Sequence, residues 1–152
     1  MENSIILLDE RTDQATKQIL QRVVEKKKKF DQYKFKHLLF LWLAVFIAFF
    51  YIYYLYRSIF LPYSYSFTTM FSIYVQTSLN VYLLILTVGL FGITNVLKKK
   101  VDKAEKEFHA IRCEIIDKSK DLWKKEEAWN NRHLVFEMMK KNYDINLYHE
   151  NK

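Results

Sequence analysis

Read for hydrophobic and polar positions, the chain falls into three regimes. Up to His37 charged residues mix with scattered apolar ones; from Leu38 to Leu97 the only charge is Arg57; beyond Leu97 charge returns and persists. Leu38 to Tyr56, LLFLWLAVFIAFFYIYYLY, is a run of 19 residues without a charge. As a helix it is roughly 28 Å long, close to the hydrocarbon thickness of a bilayer. A second apolar run, TSLNVYLLILTVGLFGITNVL, covers Thr77 to Leu97. Neither alternates with a period of two, as the strands of a membrane barrel do, so both are predicted to be spanning helices. The first begins too deep in the chain and is too long for a cleaved signal peptide. The pattern predicts an all-α protein: a two-span transmembrane helical hairpin with long cytoplasmic helical extensions.

The flanks carry helical periodicity of their own. After the cap-like residues Asp9 and Thr12, nothing up to Lys36 breaks a helix, and Ile19, Val23 and Phe30 form a partial apolar stripe. This arm is predicted to run straight into the first span. Past Leu97, Val101, Phe108, Ile115, Leu122, Trp129, Phe136 and Tyr143 fall at every seventh position. Their companions are Ala104 and Ile111, then Lys118, Lys125 and Arg132, then Met139. A full coiled-coil seam therefore covers about two heptads and narrows to a single ridge. Two poor helix formers, Asn130 and Asn131, predict a break that caps a last helix reaching Lys141.

These signals divide the chain into an N-terminal cytoplasmic helix (1–36), a first transmembrane helix (37–57) and a short extracytoplasmic interfacial loop (58–76). A second transmembrane helix (77–97), a cytoplasmic amphipathic helix (98–130) and a short C-terminal helix and tail (131–152) follow. The connection between the spans carries the chain's only proline, Pro62, and is apolar enough to lie along the membrane interface.

Charge orients this hairpin. Arg22, Lys26 to Lys29, Lys34 and Lys36 precede the first span, and Lys98, Lys99, Lys100, Lys103 and Lys106 follow the second, against Arg57 alone between them. Positive residues stay inside, so both termini are predicted to be cytoplasmic. A lone cysteine, Cys113, fits a reducing compartment. Tyr51, Tyr53, Tyr54 and Tyr56 are placed as an aromatic belt at the outer face. The net charge of +7 is satisfied by anionic lipid at the inner face, with Lys26, Lys27, Lys28, Lys29, Lys98, Lys99 and Lys100 as the contacts. No nucleic-acid-binding motif accompanies it.

Few residues point to chemistry. TVGLFG, residues 87 to 92, holds both glycines of the chain and resembles a potassium-filter loop. A filter needs backbone carbonyls freed on a re-entrant loop, however, and this stretch lies inside the second span. Gly89 and Gly92 are instead assigned to close helix packing, opposite Ala44 and Ala48 of the first span. His109 and Cys113, with Glu105 one turn earlier, are too few to close a metal site on one solvated helix. No phosphate loop, nucleophile elbow or intramembrane acid is present, so the sequence implies neither enzyme, nor cofactor, nor small-molecule substrate.

The ends DERTDQATKQILQRVVEKKKKFD and WNNRHLVFEMMKKNYDINLYHENK, with the two-span layout, resemble the YpbF-like family of small Bacillus membrane proteins. That resemblance covers nearly the whole chain and implies a bacterial plasma membrane; it implies no catalytic residue. Counting back from the spans sets Phe30 beside Lys103 and Ile19 beside Glu114, so the N-terminal arm runs out near residue 128 at ~1.5 Å per residue. Leu122, Trp129, Phe136, Met139 and Tyr143 then need cover from a fold-back, a protein partner or a second copy. The expectation is a membrane-anchored scaffold docking a partner through these residues. The alternative is a small oligomeric channel or holin-like protein.

Overall fold

The computed structural model describes residues 2–6, 8 and 12–148. Asp9 and His149 therefore lie outside the described residues. Every regular element among those described is helical: α1 (Asn3–Ile6), α2 (Gln14–Leu55), a π-helical turn (Tyr56–Phe60), α3 (Leu61–Tyr63), α4 (Phe67–Gln76), α5 (Ser78–Asp117), α6 (Ser119–Leu122) and α7 (Glu126–Tyr143).

The arm before the first apolar run and the run itself form one helix, α2, as the lack of breakers requires. Asp13 stands at its start: its carboxylate accepts from the Gln14 N–H at 2.8 Å and its carbonyl from Lys17 N–H at 3.0 Å. Helix α5 likewise continues from the second apolar run into the charged region. Both helices contain stretches long and apolar enough to cross a membrane, and only 11% and 17% of those stretches is buried within the protein. The core helix of a soluble domain would be mostly covered.

The chain forms two compact units. Unit 1 comprises residues 1–33 and 101–152. Its core joins Leu20, Val23 and Val24 of α2, Phe108 and Ile115 of α5, and Val135, Phe136 and Met139 of α7. Phe30 stacks on Phe108 with ring centroids 6.3 Å apart, and Thr16 donates to Leu122 O at 3.1 Å. Phe30 thus sits about five positions further along α5 than its distance from the spans predicts. The Lys26–Glu107 ion pair at 2.6 Å, by contrast, falls on the register counted back from the spans, so the two helices as a whole are not shifted by that much.

The C-terminal region departs most from expectation. The break falls at Trp123–Lys125, and Asn130 and Asn131 lie inside α7. Burial of Trp123, edge-on to Phe136 at 5.5 Å, ends α6 where no glycine or proline does. Helix α7 then starts without a side-chain cap, with Glu126 and Glu127 in its first turn complementing the helix dipole. Its end is a left-handed C-cap. Asp144 is left-handed at φ 56°, its N–H bonds Lys140 O, and Ile145 N–H bonds Met139 O. Ile145 and Met139 are both fully buried.

Unit 2 comprises residues 34–100. Between the two apolar runs the chain is helical rather than looped. Pro62 lacks the N–H that would continue an α-helix, and the preceding residues widen into a π-turn, with Leu61 N–H bonding Tyr56 O. Ser66 is extended and caps α4, its hydroxyl accepting from Thr69 N–H. Inward positions of α5 in this unit are Asn80, Leu83, Thr87, Leu90, Thr94 and Leu97.

Candidate functional site

The glycines do not make the close contact predicted for them. Gly89 and Gly92 are exposed, and a Cβ on either would meet nothing within 4 Å. The inward face of α5 in unit 2 is the one three and four residues apart from Asn80 to Leu97, and both glycines lie off it. On α2, Ala44 is fully buried and Ala48 half-buried.

A polar knot takes the place of a small-residue contact. The Tyr51 hydroxyl lies 3.0 Å from the Tyr74 hydroxyl and donates to Asn80 O at 3.2 Å. Asn80 donates in turn to Tyr74 O at 3.1 Å. Tyr51 is therefore buried, apart from the exposed Tyr53 and Tyr56 with which the aromatic belt grouped it. Thr87 and Thr94 satisfy their hydroxyls on Leu83 O and Leu90 O, one turn back. An asparagine in an apolar run is the signal that could have found this knot.

Much of the lysine run is used inside unit 1. Lys26 pairs with Glu107 at 2.6 Å, Lys28 with Glu2 at 2.6 Å, and Lys27 with Asp31 at 3.2 Å and Asp144 at 3.7 Å. Lys27 also lies 5.7 Å from the Phe30 and Phe108 ring centres. Hydrogen bonding to Glu2 raises the Lys28 pKa, and hydrogen bonding to Lys26 lowers that of Glu107. Lys29 and Lys98 to Lys100 are exposed. His109 Nε2 lies 4.0 Å from Glu105, and Cys113 is half-buried. Among the described residues no three His, Cys, Asp or Glu side chains gather as metal ligands.

The docking residues are the main correction. Met139 is fully buried and Phe136 nearly so; both belong to the core of unit 1, with Leu122, Trp129 and Tyr143 packed against it. Tyr143 is tied to α1 by its hydroxyl, 2.7 Å from Ser4 Oγ. The ridge is covered by fold-back, because a return at Trp123–Lys125 brings α7 against α2 and α5.

Among the clefts this leaves accessible in unit 1 is one of about 360 Å³ lined by Ile116, Ser119, Trp129, Asn130, Arg132, His133, Phe136, Leu147 and Tyr148. The Arg132 guanidinium lies 3.5 Å from the Trp129 ring centre and donates to Trp129 O at 2.8 Å. Tyr148 donates to His133 O at 3.0 Å, closing one side. Sequence reading missed Arg132, His133 and Tyr148, because the cleft exists only once the segment after α7 lies against Phe136. Unit 2 has a groove of about 480 Å³, walled by Ile47, Phe50, Tyr51, Tyr53, Tyr54, Leu83 and Leu86, with Arg57 and Ser58 also lining it.

Comparison with known proteins extends over almost the whole chain. The family model described as "Protein of unknown function (DUF2663)" matches residues 19–150. The "Uncharacterized protein YpbF" of Bacillus subtilis (strain 168) is 34% identical over 146 residues, covering 95% of each chain. No solved structure matches.

Proposed function

We propose a role for this chain on the premise that it belongs to the DUF2663 family of proteins of unknown function: a membrane-anchored interaction protein of the bacterial cytoplasmic membrane. Helices α2 and α5 cross the bilayer as a hairpin, with both termini cytoplasmic. The observation that carries this reading is the division of apolar surface. Among the described residues, large hydrophobic side chains are exposed from Phe35 to Val96; outside that stretch only Ile6, Leu134 and Tyr148 are. An apolar surface of that extent is stable against lipid and not against water. Unit 1, by contrast, buries its apolar ridge, which favours a folded module held at the membrane by the spans.

Its working surface is the Trp129–Arg132–His133–Tyr148 cleft in place of the buried ridge. Tryptophan, arginine and tyrosine are the residue types that dominate binding at protein interfaces. A photo-crosslinker at His133 should give a discrete protein adduct in cells, lost on Trp129→Ala with Arg132→Ala, while one at Glu25 should give none. Reconstituted vesicles should remain ion-tight. Identical adduct patterns at the two positions would remove the cleft as the docking site. Conductance would favour the channel alternative.

A further inference from the structure

Unit 2 holds a cation with no carboxylate to meet it. Between Lys34 and Lys100 the sequence has no aspartate or glutamate, and Arg57 is the only charge from Leu38 to Leu97. The arginine is exposed and lines the apolar groove together with Ser58, whereas Ile47, Phe50, Leu83 and Leu86 provide hydrocarbon wall. It also lies in the π-helical turn Tyr56–Phe60. Such turns are rare and concentrate at functional positions.

We propose that this groove binds one anionic glycerophospholipid, an acyl chain along the Ile47–Phe50–Leu83–Leu86 wall and the phosphate on Arg57. The proposal rests on the reading that α2 and α5 cross a bilayer. A planar guanidinium meets a phosphate with two parallel charge-assisted hydrogen bonds, and the Ser58 hydroxyl is a further donor at the same turn. The acyl chain contributes shape and little net affinity, since lipid tails are as apolar as the groove itself. Selectivity must therefore reside in the headgroup. A net-negative phosphatidylglycerol leaves its phosphate free for Arg57, while the ammonium of phosphatidylethanolamine competes for it. An arginine that merely reaches up to the headgroups would meet any phosphate and retain none.

The test uses the full chain reconstituted in equal phosphatidylglycerol and phosphatidylethanolamine, with a polyprenyl phosphate as a minor third lipid. Native mass spectrometry after detergent release then counts bound lipids. One phosphatidylglycerol per chain is expected, in several-fold excess over phosphatidylethanolamine. Arg57→Gln should abolish that excess, Arg57→Lys should retain part of it, and Leu86→Trp, which fills the groove, should reduce bound lipid of both kinds. Replacing Lys98 and Lys99 by glutamine should leave the Arg57-dependent part unchanged. An equal lipid ratio in wild type and Arg57→Gln overturns the site, as does preferential retention of the polyprenyl phosphate. Vesicle flotation of each variant separates the two readings. A chain that floats yet shows no Arg57 dependence loses only the lipid site, whereas a chain that does not float loses the spans as well.

Discussion

Asp144 closes α7 in a left-handed conformation that glycine adopts freely and an L side chain does not, at a cost of about 1 kcal/mol. Its ion pair with Lys27, at 3.7 Å from a carboxylate side chain 93% exposed, returns little of that. Asp144→Gly should therefore raise the thermal midpoint, by up to about 1 kcal/mol of stability, and Asp144→Val should lower it. Equal midpoints for all three would mean that the turn is not strained. Glu107 has a pH signature. Lys26 holds its carboxyl below the usual value, first through the hydrogen bond and then through charge. A depressed folded pKa stabilises the fold above the unfolded value of about 4.5, and that contribution is lost as pH falls from there through the folded value. The midpoint difference between wild type and Glu107→Gln should shrink below that pH and with added salt. A difference that stays constant as pH falls from neutral to well below 4.5 would remove the pair from the acid response.

Helix α7 stands or falls on its inward stripe. Met139 is fully buried, so Met139→Ala should cost about 2–5 kcal/mol, whereas Leu134→Ala on the exposed face should stay within about 0.5 kcal/mol. Circular dichroism melts of the two variants check this. For the same reason Phe136→Asp would break the core and cannot report on docking. In α5, with open space at the Cβ position, Gly89→Leu should accumulate in membranes and resist protease like wild type, which a close helix contact at Gly89 would forbid. Much of this was legible. The seven-residue series from Val101 through Phe108 to Ile115, counted backwards along α5, passes through Thr94, Thr87 and Asn80, and the companion series from Ala104 passes through Leu97, Leu90 and Leu83. Those are the inward positions observed, and Gly89 and Gly92 fall off both series. Small size pointed to a contact; the heptad count, carried into the apolar run, pointed elsewhere. The turn at Trp123–Lys125 had no such local sign. It follows from burial of Trp123 against Phe136 of the next helix and from Thr16 capping the Leu122 carbonyl from more than a hundred positions away.

At the scale of the whole molecule, lipid and water must each meet the surface suited to it. Exposed phenylalanine, leucine and tyrosine in unit 2 are costly in water, at roughly 1.5–3 kcal/mol for each large side chain left uncovered. The ion-paired, largely polar exterior of unit 1 would be costly in hydrocarbon. Positive residues choose between the two orientations compatible with that division. Lysines cluster before Leu38 and after Leu97, and the residues between the two apolar runs carry only Arg57. Alkaline phosphatase fused after Lys152 should therefore be inactive and a fluorescent reporter there bright, while a reporter inserted within Ser64 to Thr69 should give the opposite pair. Opposite results at the two positions require one crossing, or another odd number, between them, and the second long apolar helix can supply one. An active phosphatase at Lys152 would put the C-terminus outside, against the lysines that follow Leu97, and would overturn the orientation read from charge.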